Sequence, residues 1–193
     1  MAQIWLMSDL HLWHENLYAF TYTDHPTGVE RRVRERFTTA AEADAYMIQR
    51  WRDLIKPSDH VWVLGDVCTH RGNHMRKEFV NLFKSLPGRK RLIPGNHDHY
   101  KTAVYVEAGF EKISGGRQLD GLLLTHYPVH PSSITFKVKG NVHGHTHQNP
   151  DVSPLHLNIC VERTGYEPIP IERAIQELKR KQAEVNVDEH ARS

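Results

Sequence analysis

Carboxylate and imidazole side chains recur in this sequence in five short groups: Asp9-Leu10-His11, Gly65-Asp66, Gly95-Asn96-His97-Asp98, Thr125-His126-Tyr127-Pro128 and Gly144-His145-Thr146-His147. A single intervening residue, as between Asp9 and His11 or between His145 and His147, lets two donors converge from one loop. Carboxylate oxygen, imidazole nitrogen and amide oxygen without thiolate form a donor mixture that suits Mn, Fe, Zn or Ni. It points to a hydrolytic centre more than to a structural zinc. Glycine stands inside three of the groups, where the backbone must turn sharply or pass close to its neighbours. Histidine supplies 15 of the 193 residues, an unusual abundance, so the imidazoles carry most of the chemical information.

Each group needs an element to hold it, and each follows a short apolar run. Strands are expected over 3–8, 61–64, 91–93, 122–125 and 140–143, so that every donor group leaves a strand end. Thr39 and Glu42 have capping-box spacing ahead of Met47, Ile48, Trp51, Leu54 and Ile55, which predicts a helix over 40–55 that Pro57 stops. Phe79, Leu82, Phe83 and Leu86 form the stripe of a second helix that Pro87-Gly88 ends, and a third is expected over 101–108, closed by Gly109. Beyond it, Asp120-Gly121 signals a tight hairpin, and further strands are expected over 134–138 and 155–161, making the second half mostly antiparallel sheet. Ile171, Ala174, Ile175 and Leu178 predict a last amphipathic helix. The expected organisation is α/β, one domain over 1–185 with a frayed tail over 186–193.

Composition narrows the function classes. With 39% hydrophobic and 25% charged residues, the chain is an ordinary globule and neither disordered, collagen-like nor membrane-spanning. Lys+Arg 25 against Asp+Glu 23 leaves +2, too little to argue for long nucleic acid or an anionic membrane as a partner. Cys68 and Cys160 lack CxxC spacing, so a reducing cytoplasm is the expected compartment, with no export signal or anchor. Arg31, Arg32, Arg34 and Arg36 alternate with Glu30 and Glu35 and are expected to form a solvated face. Trp13, Tyr18, Phe20 and Tyr22 crowd the stretch after the first donor group, where they either pack the core or stack on a nucleobase at the rim of a site.

Taken in order, the five groups resemble the calcineurin-like metallophosphoesterase superfamily, whose pattern is DxH, GD, GNH followed by an acid, a lone His, and GHxH. The resemblance covers 3–147, and the short chain together with 9–16 and 157–168 is similar to the small bacterial and bacteriophage type. It implies a four-layer αββα sandwich of two mixed β-sheets flanked by helices. It implies phosphoester hydrolysis by a metal-activated hydroxide, with small or nucleotide-like diesters favoured; the alternatives are a phosphomonoesterase with the same site and a non-catalytic metal-binding scaffold. It further implies one divalent ion on Asp9, His11, Asp66 and His147 and a second on Asp66, Asn96, His126 and His145, Mn being the first choice and Fe, Zn or Ni also suited.

Two dications and two aspartates, with a bridging hydroxide, leave a net positive well for a phosphate, and Asn96 preserves it because it is neutral. The same resemblance sets His97 against the substrate phosphate as the acid for the leaving oxygen, with Asp98 to orient and charge it. His14 and Asn16 are expected substrate contacts beside Asn96, and His143 an outer-layer hydrogen-bonding partner. After Asp66 the family's GDxxDRG is replaced by Gly65-Asp66-Val67-Cys68-Thr69-His70-Arg71-Gly72, one residue longer, so Arg71 is not carried over. His70, His99, His130 and His156 receive no assignment.

Overall fold

The structure is a computed structural model that describes residues 2–24, 27–135 and 137–191. Its elements in chain order are β1 (Ile4–Met7), β2 (Thr21–Asp24), β3 (Val29–Arg32), α1 (Ala40–Leu54), β4 (His60–Val63), α2 (Arg76–Ser85), β5 (Arg89–Leu92), α3 (Thr102–Glu107), β6 (Phe110–Ile113) and β7 (Arg117–Leu119). There follow β8 (Leu122–Leu124), β9 (Gly140–His143), β10 (His156–Asn158), α4 (Val161–Thr164), β11 (Ile169–Pro170) and α5 (Ile171–Ala191). The first sheet runs β11-β1-β4-β5-β6, the second β10-β9-β8-β7, and β2 with β3 forms a separate hairpin. In the first sheet β1, β4, β5 and β6 are parallel and β11 antiparallel. In the second, β8, β9 and β10 are parallel and β7 alone is antiparallel. Two mixed sheets with helices around them are the architecture the motifs implied.

Side-chain alternation along the first sheet divides the core in two. Met7, Val61, Val63 and Leu92 face a cluster with Trp51, Phe79 and Phe83 from the helices. Their neighbours Leu6, Trp62, Leu64 and Ile93 face the second sheet, meeting Leu122, Leu124, Val142 and Leu157, with Ile171, Ala174 and Leu178 of α5. Strands buried on both faces are continuous apolar runs, which is why 61–64 was legible as a strand without alternation. The Thr39–Glu42 capping box is formed in both directions at the start of α1. Asp120 and Gly121 join β7 to β8 with φ of 51° and 81°, the left-handed pair that a two-residue hairpin turn requires.

Three expectations for the second half need correction. Residues 134, 135, 137 and 138 form no strand, and Phe136 lies outside the described residues. The run 155–161 is split into β10 and the start of α4. Above all, that half is mostly parallel, because long crossovers and not hairpins join β8 to β9 and β9 to β10. Of the tail over 186–193, the backbone of 186–191 continues α5 and 192–193 lie outside the described residues. No helix of the described residues is long and apolar enough to cross a membrane.

Candidate metal centre

Parallel pairing brings the donor groups together. β1, β4 and β5 point the same way, so Asp9, Asp66 and Asn96 emerge at one edge of the first sheet; β8 and β9 do the same for His126 and His145. Antiparallel neighbours would have sent His126 and His145 to opposite ends. The loops are then laced to one another: Asp9 N–H donates to Gly65 O at 3.0 Å, His11 N–H to Asp66 O at 2.9 Å and Gly144 N–H to His126 O at 2.9 Å. Space is equally tight. A Cβ on Gly95 would overlap Asp66 Oδ1, and one on Gly144 would overlap Ser8 Oγ and Asp9 Oδ2.

Two donor groups result, Asp9 with His11 and His147, and Asp66 with His126 and His145; within each, the ligand atoms lie within 4.8 Å of one another. Asp66 Oδ2 stands 3.5 Å from His11 Nε2 and 3.5 Å from His126 Nε2, and so faces both groups. Each aspartate spends one oxygen on positioning. Asp9 Oδ2 accepts from Ser8 Oγ at 2.5 Å and His145 N at 3.0 Å, and Asp66 Oδ1 accepts from His97 N at 2.8 Å. The other oxygen of each turns to the centre. Asn96 Oδ1 lies 3.1 Å from His126 Nε2, which adds the amide to the second group.

A cation fits this arrangement. Asp9 Oδ1 and both ring nitrogens of His11 are buried without a hydrogen-bond partner, a deficit of about 1–3 kcal/mol per atom unless something satisfies it. His126 Nδ1 lies 2.7 Å from Leu64 O and must donate to that carbonyl, so its Nε2 presents a lone pair to Asp66 Oδ2 and Asn96 Oδ1. Three acceptors facing one another repel unless a positive charge lies between them. Burial pushes His11 down, and burial and the neighbouring His126 push His145 down, which favours in both the neutral ring that a ligand needs. Burial presses the Asp9 carboxyl upward, but His11, His126 and His147 outweigh it and hold the group well below the ordinary carboxylate range.

Backbone strain concentrates at the same residues. Asp9, His11, Asp66, His145 and His147 have φ of 58°, 47°, 52°, 69° and 48°, a left-handed conformation that costs about 1–2 kcal/mol for a residue with a Cβ. The interloop hydrogen bonds hold them there.

A layer behind the ligands was not legible in the sequence. Arg34, expected on a solvated face, is fully buried and reaches across the chain. Its Nε donates to Glu162 Oε1 at 2.7 Å, its Nη2 to Asp9 O at 2.5 Å and its Nη1 to Leu10 O at 2.9 Å. Glu162 Oε1 in turn lies 3.2 Å from His147 Nδ1. Burial alone would lower His147, but the Glu162 hydrogen bond and charge raise it, and they fix which ring nitrogen faces the centre. Lys90 is also buried, with its Nζ donating to Leu86 O at 2.8 Å. No local pattern distinguishes Arg34 from its exposed neighbours; its partner stands 128 positions away.

The remaining candidates divide. The His97 ring lies edge-on to His11 at 5.2 Å between centroids, at the rim of the first group. Asp98 does not carry out the expected orientation of His97: its Oδ2 accepts from Asp66 N and Gly95 N, each at 2.8 Å, and its Oδ1 from Val67 N at 3.0 Å and Tyr105 Oη at 3.2 Å. It clamps two ligand loops together. His14 is brought to 5.8 Å from the His11 ring, with Nδ1 buried and unpartnered. Asn16 is exposed on the 3-10 turn Glu15–Tyr18, and no recorded contact joins its amide to the centre among the described residues.

His143 and the four histidines without assignment lie outside the two donor groups. His143 bonds the adjacent Gly144 O through Nδ1 at 2.8 Å, and its Nε2 is buried without a partner. His156 bonds Val129 O at 2.8 Å, and His130 caps a 3-10 turn. His70 packs against His74 at 5.4 Å, and His99 against His97 at 6.0 Å, with the Arg71 charge adding to the burial that lowers His99.

Known proteins carry the same framework. A solved structure from Aquifex aeolicus, that of the protein of unknown function AQ665, superposes with a TM-score of 0.66 at 28% identity, covering 92% of this chain and 100% of that one. The uncharacterized protein MJ1445 of Methanocaldococcus jannaschii is 26% identical over 190 residues, 93% of each chain. The Gene 66 protein of Mycobacterium phage L5 is 26% identical over 194 residues, 84% of each. A profile of the calcineurin-like phosphoesterase family matches residues 2–128, which include Asp9, His11, Asp66, Asn96, His97 and His126; His145 and His147 follow in the crossover beyond. With most of its length matched and its donor groups assembled at one sheet edge, the chain belongs to the calcineurin-like phosphoesterase family.

Proposed function

We propose that the protein is a dinuclear metal-dependent phosphoesterase acting on phosphodiesters, small or nucleotide-like. The observation that carries this reading is the position of Asp66 Oδ2, 3.5 Å from a donor nitrogen of each group. Asp9, His11, Asp66 and His147 would hold one ion, and Asp66, Asn96, His126 and His145 the other, with Mn the first choice. Bound dications supply Lewis-acid stabilisation of phosphoryl oxygens and an activated water at neutral pH.

The chain's own groups do the rest. His97 protonates the leaving oxygen from the rim, Asp98 keeps the loops of Asp66 and His97 in register, and His14 with the neutral Asn96 meets the phosphate. Asn96 is exposed and His97 and His145 are half-buried, an open site that admits a substrate with two ester arms. The compartment we propose is a reducing cytoplasm, since Cys68 and Cys160 are buried free thiols. The test is a matrix of Mn, Fe, Zn and Ni against aryl monoesters, aryl diesters and nucleotide diesters, with anomalous scattering from Mn-soaked crystals. Two peaks flanking Asp66 and metal-dependent diester hydrolysis are expected; one peak or none, or hydrolysis of monoesters alone, overturns the reading.

A further inference from the structure

Large exposed hydrophobic side chains among the described residues include two aromatics, Phe20 at 51% and Tyr127 at 49%. Tyr127 stands directly at the second donor group, and Phe20 reaches the first through His14. The Phe20 ring is edge-on to His14 at 6.2 Å, and His14 is 5.8 Å from His11, so this ring flanks the Asp9 group. The Tyr127 ring is 4.5 Å from His145 and 4.8 Å from His126, so it flanks the Asp66 group. Each ring leaves aromatic surface open to solvent beside the donor groups, where its face is available to a planar ligand.

Local structure keeps Phe20 outside. It precedes β2, and its carbonyl accepts from Val33 N at 2.9 Å, so it extends the hairpin by one pair and shares a face with Tyr22 two residues on. Tyr22 and its cross-strand partner Arg31 line a groove of about 400 Å³ with Gln148 and Asn149, which directly follow the ligand His147. Gln148 Oε1 is buried without a hydrogen-bond partner, so its amide can turn toward the groove without breaking a recorded bond of that oxygen.

We propose that Phe20 and Tyr127 are stacking platforms for the two arms of a nucleobase-bearing phosphodiester, one on each side of the phosphate, with the Tyr22–Gln148 groove receiving the edge of the base on the Phe20 side. Every base has a π-face, so such platforms select nucleotides as a class without selecting a sequence. This rests on the phosphoesterase reading above, whose substrate it narrows.

The test compares thymidine 5′-(p-nitrophenyl) phosphate with methyl p-nitrophenyl phosphate, using the Mn-loaded wild type, Phe20→Ala, Phe20→Trp and Tyr127→Ala. Expected is a wild-type preference for the nucleoside ester in kcat/KM that Phe20→Ala reduces about tenfold, mainly through KM, and Phe20→Trp restores. Tyr127→Ala is expected to raise KM for a dinucleoside monophosphate. Saturation-transfer NMR with that dinucleotide and metal-free protein gives a readout independent of turnover, its base protons saturating in the wild type and losing saturation in Phe20→Ala. If both esters are hydrolysed and the alanine variants change them equally, the stacking assignment is overturned. If no ester is hydrolysed while saturation still depends on Phe20, the subsite stands and the phosphoesterase reading falls.

Discussion

His97, like His145, is held by its backbone on an aspartate, but it stands outside the two donor groups. Its backbone N–H is anchored on Asp66 Oδ1 at 2.8 Å, whereas its ring lies at the half-buried rim, 5.2 Å from that of His11. Backbone anchoring survives truncation of the side chain, so His97→Ala is expected to retain its full complement of metal and to lose about a hundredfold or more in kcat, the usual scale of general-acid catalysis. Metal content by atomic emission alongside steady-state kinetics checks it; a rate within threefold of wild type removes the ring from the mechanism. Asp98 is a different kind of residue despite its adjacency. Three backbone N–H groups and a tyrosine hydroxyl occupy its two oxygens, so its work is to hold loops. Sequence reasoning assigned Asp98 the task of orienting His97 and missed its bonds to the loop backbone, because a carboxylate's partners depend on backbone groups delivered by β4 as well as on its own turn.

At the scale of elements, the candidate centre is a set of five strand-end loops, three of which hold their donors in a strained left-handed backbone, kept there by bonds between loops and by the layer behind them. α4 contributes Glu162 to that layer, and the segment after β3 contributes Arg34, which ties the carbonyls of Asp9 and Leu10 to the same carboxylate. Removing the charge while keeping the shape isolates this element. Glu162→Gln is expected to weaken binding of one ion, that of the Asp9 group, by about 10- to 100-fold, as loss of a carboxylate behind a ligating histidine does. It should also lower thermal stability, because Arg34 is left as a buried cation without its counter-charge. Calorimetric titration with Mn resolves the two ions; equal affinity for both in wild type and variant would show that the layer does no more than fill space.

Across the whole molecule, α1 is coupled to the first ligand loop through Asp44, whose Oδ2 accepts from Trp13 N at 2.8 Å while its Oδ1 is buried without a partner. Burial pushes this carboxyl up to about 6, against the Trp13 hydrogen bond and the Arg34 charge that favour ionisation. The folded state therefore binds the proton more tightly than the unfolded chain, so stability falls as pH rises from about 4 to about 6 and the loss persists at neutrality. Asp44→Asn keeps an acceptor for Trp13 and removes the charge. It is expected to be more stable at pH 7 by on the order of 2 kcal/mol, with no gain at pH 4. Urea denaturation at the two pH values measures it, and an equal change at both would assign the effect to packing.

The sequence by itself determined the candidate donors, their order, and the strand that precedes each, because a side chain's chemistry and a strand's apolar run are local properties written within a few residues. The capping box of α1 and the Asp120-Gly121 turn were legible for the same reason. Tertiary structure alone decided that β8, β9 and β10 run parallel, that Arg34 is buried while its neighbours are not, and that Phe20 and Tyr127 stay exposed beside the centre. Strand direction follows from long crossovers with no turn signature, and the burial of a charge from a partner far along the chain. Such long-range terms are not encoded in any short window, yet they make one site of loops that would otherwise lie at opposite ends of the sheet.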